Sequence, residues 1–418
     1  MRIKTSLALF LLISVFGIGH FLDRGKMMIP EFTVPYFSGA SLLGQGKGWE
    51  FNLNEVDNVH AIVSLENKEE SKDKINAYRF SSKGLNARPY SINQEGYLYV
   101  IWIAKNIFFW TGDISAVKHF QLFVHALISF LLIILLKKKR DRILFILFYA
   151  INPFIINFAI YPFYYFWEVV PSAILAYFYL SKKKIPFFGL LLLALLLASL
   201  FQIRSSVLMI CGLVLLLSSM HLPVLKKTIL FGFFAACIWF MQPQTMHKHP
   251  GHVLYTSLGA YPNSYVESFN DTISWNAYRK ASGIQYSYSS IPGMYDAEVF
   301  FGESKWCLTE YKKIAGEEPI MIIRNAILNY FQTFSFGYFR SSLLLSYFSA
   351  FLGLCFFSLL LFKKKHFHIL GITAASFTYF FYLAPLPIYL YGSYLLIVLS
   401  IIELSGANPD IKKNKTNS

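Results

Sequence analysis

Acidic residues are scarce in this chain: 23 Asp and Glu stand against 38 Lys and Arg over 418 residues, and charged residues make up only 15%. A water-soluble domain of that length carries roughly a quarter charged residues, so a soluble globular protein is excluded. Cysteine is scarcer still. Cys211, Cys237 and Cys355 fall in apolar stretches and Cys307 stands alone in a polar one, which leaves no disulfide framework and no paired spacing for zinc. No internal repeat of the kind common in transporters is present. The glycines of GQGKG (44–48) have neither a preceding strand nor a following βαβ unit, so they are a turn rather than a dinucleotide fingerprint.

What the chain has instead is apolar length. Hydrophobic residues are 55% and aromatics 18%, with a mean hydropathy of +0.46, the signature of an all-α polytopic membrane protein. The net charge of +15 does not point to nucleic acid, which needs basic residues gathered on one solvated face. Here they form short clusters between apolar runs: Arg2/Lys4, Lys137 to Arg142, Lys182 to Lys184, Lys226/Lys227, Lys363 to Lys365 and Lys412/Lys413. These are the cytoplasmic anchors expected of the positive-inside rule.

Apolar segments near 5–22, 119–136, 143–162, 163–181, 185–203, 205–225, 228–243, 341–362, 366–384 and 387–404 each approach the length that crosses about 30 Å of hydrocarbon. Alternating their direction from a cytoplasmic Arg2 places every basic cluster on one side, so about ten spans with both termini in the cytoplasm are expected. The first span ends in GIGHFLDRG without a small-x-small cleavage site and reads as an uncleaved anchor. The threading divides the chain into a transmembrane module at 1–243 that carries a first external loop (23–118), a second external loop at 244–340, and a last group of spans with a cytoplasmic tail at 341–418. The two loops hold most of the remaining polar residues, so the working face is expected outside.

Candidate site residues follow. Asp23 stands at the membrane boundary and Glu31 beyond it, followed by Tyr36, Ala40 and Leu43 at helical spacing, which predicts a short helix lying on the membrane over SGASLL. Glu168, in YYFWEVV, and Arg204, in FQIRSS, are ionisable residues at the outer ends of two spans, where each needs a partner. They are expected to meet, as a structural pair or with Arg204 on a lipid phosphate. Asp271 and Asp296 are external acids beside aromatics. His247, His249 and His252 lie in HKHPGH. Imidazoles ligate metals, but a stretch broken by Pro250 and Gly251 reads as an interfacial loop, and no metal or other cofactor is expected. The charged segment 54–88 reads as a solvated insertion without catalytic residues.

An acid beyond the first apolar run, then Tyr36, Ala40, a leucine pair and G-x-G, resembles the first external loop of the GT-C membrane glycosyltransferases, in particular the protein O-mannosyltransferase and aminoarabinose-transferase branch. Residues 95–127 are similar to that branch's amphipathic helix, glycine-containing turn and helix entering the next span. Arg204 resembles an arginine often seen near a helix end in the group. Residues 251–280 and 311–339 look like the external region of bacterial members. The resemblance implies transfer of a sugar from a polyprenyl-phosphate donor to a glycolipid, polysaccharide or protein acceptor outside a bacterial inner membrane, with inversion at the anomeric centre. A carboxylate would serve as general base, and Arg or Lys would stabilise the leaving phosphate.

This chain departs from the family at two places. Glu31 stands five residues before Tyr36, with Pro35 as the extra residue, so the acid is open between Glu31 by motif and Asp23 by topology. The family's late Arg-Tyr pair is here Ile388–Tyr389, which leaves Arg204, Arg324 or Arg340 to hold the phosphate beside Tyr389. An O-antigen polymerase or ligase and a lipid or sugar transporter share parts of the pattern. The first is marked by arginine-rich external loops and the second by repeats with interrupted helices.

Overall fold

Helices follow the apolar runs. The computed structural model describes residues 2–25, 33–46, 50–81, 83, 86–87, 95–241, 250–284 and 297–406. The first apolar run is α1 (Arg2–Gly25), and the polar region after it folds into α2 (Val34–Leu42), α3 (Leu53–Val63), α4 (Lys68–Ala77) and α5 (Gly96–Ile107). A two-residue antiparallel ladder pairs Phe51 with Ala87 and Asn52 with Asn86. Then come α6 (Asp113–Leu135), α7 (Lys139–Phe145), α8 (Pro153–Ala159), α9 (Val169–Ser181), α10 (Phe187–Ile203), α11 (Leu208–Ser218) and α12 (Val224–Met241). The second polar region forms α13 (Pro250–Leu258), α14 (Asp271–Ser282), α15 (Ala297–Glu317) and α16 (Pro319–Gln332), before α17 (Leu343–Phe362), α18 (His366–Tyr382) and α19 (Tyr391–Ser405).

Among the described residues, five helical stretches are long and apolar enough to cross a membrane: Thr5–Arg24, Asp113–Leu135, Val224–Met241, Leu343–Phe362 and Pro387–Ser405. Lys139–Ala150 and Pro153–Ala159 make a sixth if the pair, bent by 53°, is one span. The chain is an all-helical membrane protein.

Several expected spans are broken, each for a legible reason. Asn152 accepts a hydrogen bond from the Phe154 amide and Pro153 follows at the first helical position, so a new helix starts inside the 143–162 run. Pro162 precedes a 3₁₀ turn, Tyr164–Glu168, that leads into α9. The backbone is extended at Arg204, with φ −153° and ψ 110°, and this ends α10 before a 3₁₀ turn at Ser205–Val207 opens α11.

The first polar region differs from its expected form in two ways. The short helix over 34–42 exists, but it does not lie on a surface: Val34, Phe37, Ala40 and Leu42 are buried and the helix packs against α5. The 54–88 segment is not a solvated insertion. Val56, Val59, Ile75 and Phe80 join the main core, and buried Glu55 accepts from the Tyr78 hydroxyl at 2.5 Å and the Ser81 amide at 2.9 Å. Burial and the Glu55 bond push the Tyr78 hydroxyl up to about 12. Asp113 ties the segment to α6, accepting from the Phe80 amide at 2.9 Å and pairing with Lys105 at 2.7 Å.

Four of the basic clusters, Lys137 to Arg142, Lys182 to Lys184, Lys226/Lys227 and Lys363 to Lys365, gather at one end of the bundle. Arg140 donates to the Ser405 carbonyl at 2.8 Å, Lys365 pairs with Glu403, and Tyr179, one turn before Lys182, donates to Glu403 at 2.9 Å. Lys226 lies 5.9 Å from the ring of Phe187, at the start of α10. The opposite ends of α9 and α10 carry Glu168 and Arg204. At 1.5 Å per residue, the length of α10 separates Arg204 from the basic end by about 25 Å.

Close backbone contact fixes that far end. A Cβ at Gly392, in the first turn of α19, would lie 2.5 Å from the Glu168 carbonyl oxygen and 3.0 Å from Ser172 Oγ. Gly392→Ala is expected to cost about 1–3 kcal/mol by overpacking, read as a lower melting temperature in detergent. Gly212→Ala, where a Cβ meets nothing within 4 Å, is the control and should not lower it.

Candidate functional site

A guanidinium and a carboxylate inside an apolar bundle are stable only together. Arg204 Nε donates to Glu168 Oε1 at 3.0 Å, and the same oxygen accepts from Ser206 Oγ at 2.8 Å and from the Tyr379 hydroxyl. The Tyr379 oxygen in turn accepts from Arg204 Nη2 at 2.9 Å and lies 2.9 Å from Ser206 Oγ. The two residues expected to meet from their places in the sequence do meet. The pair is incompletely satisfied. Among the described residues Glu168 Oε2 is buried without a partner and Arg204 Nη1 takes no acceptor.

Aromatic rings enclose the arginine. Its guanidinium carbon lies 4.4 Å from the ring centre of Tyr165, 4.9 Å from Tyr164 and 5.8 Å from Tyr379. Desolvated contacts of this kind contribute about 2 kcal/mol. Tyr389 stacks on Tyr379 at 4.9 Å with an interplanar angle of 14°, and meets Tyr165 at 4.8 Å. Tyr36 joins from the other side, its ring 5.8 Å from Tyr164 and 5.9 Å from Tyr97. The result is a cation held in a tyrosine-lined setting, with donors and an acceptor to spare.

The second polar region brings a further group of charges toward Tyr389. Asp271 and Arg340 both lie within electrostatic reach of the Tyr389 hydroxyl, and the Arg340 guanidinium stacks 4.7 Å from the Phe269 ring. Asp271, half-exposed at the start of α14, is 3.6 Å from His252 Nε2, while His252 Nδ1 is 2.8 Å from Glu303, a fully buried carboxylate. Burial disfavours the imidazolium, but the two carboxylates outweigh it and hold His252 up at about 9. Burial likewise pushes Asp271 up, and His252 and Arg340 more than reverse it, so its carboxyl sits below the usual range. Cys307 donates to Glu303 at 3.1 Å. Burial and that carboxylate push its thiol up, so it is no thiolate nucleophile.

The other expected residues are placed elsewhere. Asp23 pairs with Lys118 at 2.8 Å and accepts from Asn76 at 3.4 Å, apart from the arginine. Arg324 donates to the Pro262 carbonyl at 3.3 Å and to Asn325. Glu31, Asp296, His247 and His249 lie outside the described residues. Among the described residues no group of three or more His, Cys, Asp or Glu is placed to hold a metal ion. His252 directs both ring nitrogens at carboxylates and has no lone pair to offer while protonated. Tyr164, Tyr165, Ser206 and Tyr379 were not expected. Three of them sit within four residues of Glu168 or Arg204, and two, Tyr164 and Tyr165, lie in the aromatic run YPFYYFWE that ends at Glu168.

No protein-family model matches the chain, and it has no match among curated proteins or solved structures.

Two outcomes test this geometry. Arg204→Gln strands the buried Glu168 charge and should cost about 3–5 kcal/mol, whereas Glu168→Gln/Arg204→Gln should recover most of it, as melting temperatures in detergent will show. In histidine-selective NMR, His252 should titrate near 9, and Asp271→Asn should lower that value. The stabilisation from a raised imidazole is complete below its ordinary value and is lost as pH rises through about 9. The second polar region should therefore become more protease-sensitive above that pH in the natural protein.

Proposed function

We propose that this chain is an integral membrane glycosyltransferase that moves a sugar from a polyprenyl-phosphate donor to an acceptor on the extracytoplasmic side of a bacterial inner membrane. In this reading about ten segments cross, the basic end of the bundle faces the cytoplasm, and the Arg204 end faces outward. The observation that carries the reading is Arg204 itself, a cation in a tyrosine-lined setting at the end of the bundle away from the lysines, with a hydrogen-bonding edge left over. A phosphate developing negative charge in a low-dielectric site is the chemistry such a group serves.

The parts divide as follows. Arg204 takes the donor phosphate, and Arg340 adds positive charge beside Tyr389, where the resembling family has an arginine. Glu168 holds Arg204 in place. The tyrosines offer faces for the sugar or the first isoprene units. The base that takes the acceptor proton is Glu31 or Asp23. Asp23 is fixed by Lys118 and Asn76, and Asp271 lines the acceptor side.

The test is a transfer assay in proteoliposomes with radiolabelled polyprenyl-phosphate sugars. The natural protein should transfer sugar. Removing the base, by Glu31→Gln or Asp23→Asn, should lower kcat by about 10²–10⁴ while the donor still binds. Arg204→Gln should lower turnover by roughly 10²–10³, and Glu168→Gln/Arg204→Gln, with its fold recovered, should stay inactive. If the double variant regains full activity, the pair is structural. If no polyprenyl-phosphate donor is bound or consumed across a broad panel, the transferase reading fails.

A further inference from the structure

The basic end of the bundle holds more than a scatter of anchors. A cavity of about 260 Å³ opens there, and Lys182, Lys183, Lys184 and His221 form part of its lining. Its wall is otherwise largely apolar, with Phe178 and Leu217 among the residues that form it. Three lysines beside one cavity repel one another, and a fold normally answers them with a carboxylate. No acid lines this cavity, and none of the three lysines makes an ion pair among the described residues.

The acid that reaches the wall is already committed. Tyr179 lines the cavity and donates to Glu403 at 2.9 Å, but Glu403 also holds Lys365 and, at 2.5 Å, His368. Lys365 on one oxygen, and His368 with the Tyr179 hydroxyl on the other, already occupy its carboxylate and leave neither oxygen for Lys182 to Lys184. The same bonds make the wall rigid, since Tyr179 stacks on Phe367 at 3.9 Å with an interplanar angle of 10°. Lys182 adopts a left-handed backbone, φ 53°, a conformation that favours glycine. The strain turns the chain sharply at the end of α9, so that the following lysines stay at the cavity instead of continuing along the helix axis.

We propose that this cavity binds the phosphate-bearing headgroup of an anionic lipid. The lysines and His221 supply the counter-charge, and the apolar wall takes the first part of the acyl or glycerol moiety. A lipid fits better than free phosphate because the cavity is walled mainly by apolar side chains at the lipid-facing end of a bundle, where basic pockets between helices suit anionic headgroups. The site lies the length of α10 from Arg204 and is independent of the transferase reading.

Native mass spectrometry of the detergent-solubilised full chain tests this with phosphatidylglycerol, phosphatidylethanolamine and inorganic phosphate as probes. Lys182→Gln/Lys183→Gln/Lys184→Gln should reduce phosphatidylglycerol retention on the order of a hundredfold. Met220→Trp, which fills the cavity from an exposed position while leaving every charge in place, should reduce it as well. Lys137→Gln/Lys138→Gln/Lys139→Gln, an equal loss of charge at another basic cluster, should leave retention unchanged. Equal loss in that control would reduce the effect to general surface charge and overturn the proposal. So would unchanged retention in Met220→Trp, equal retention of phosphatidylethanolamine, or saturation by inorganic phosphate at the affinity of the lipid.

Discussion

The ion pair between Arg204 and Glu168 sits where a lone charge costs several kcal/mol, so each member can be buried only in the company of the other. Much of the architecture around it serves that condition. The 3₁₀ turn at Tyr164–Glu168 and the extended residue Arg204 are interruptions that regular helices would not supply, and they bring the two groups from separate helices to 3.0 Å. Ser206 and Tyr379 satisfy the remaining needs of one carboxylate oxygen. Glycine at 392 lets the start of α19 approach the Glu168 backbone closely, and Tyr389, in the turn just before it, meets Tyr165 and Tyr379.

The two ends of the bundle therefore hold opposite electrostatic solutions. At the basic end the lysines are exposed and mostly unpaired, which is tolerable only next to water and anionic headgroups. At the other end Glu168, Arg204, Asp271 and Arg340 each have an identified partner or ring. In the transferase reading proposed above, one end sets the orientation and the other holds the donor phosphate.

Much of this was legible in the sequence because ionisable residues in apolar runs are few. Glu168 and Arg204 stood out and had to meet. The tyrosines did not stand out, because with 27 of them in the chain no single one carries a signal. The 54–88 segment was misread for the opposite reason. Its charges dominate the composition, while the residues that dock it, Val56, Val59, Ile75 and Phe80, are four among many polar neighbours. Its buried acid, Glu55, is paired with a hydroxyl and an amide that only the fold brings near. The helix over 34–42 has apolar residues on every side, and such a helix is buried, not laid on a surface. Helix breaks were written in the sequence as Asn-Pro and Tyr-Pro-Phe, but hydropathy over a long window averages them away.

The arginine that the resembling family has before its late tyrosine is Ile388 here, and the geometry narrows what can stand in for it. Arg324 is spent on the Pro262 carbonyl and Asn325. Arg204 reaches the tyrosine cluster from the bundle side and Arg340 from the end of the second polar region, both within electrostatic reach of Tyr389. A cation lost from one helix can be supplied from a different segment if the field at the reacting group is what matters, because charge acts through distance and dielectric, not through chain position. Arg340 is exposed where Arg204 is not, so its contribution is the more screened by salt of the two. It also interacts with Asp271, which His252 holds ionised. The second polar region thus brings a cation and an anion together to the rim of the arginine site, and the protonation of His252 fixes the balance between them.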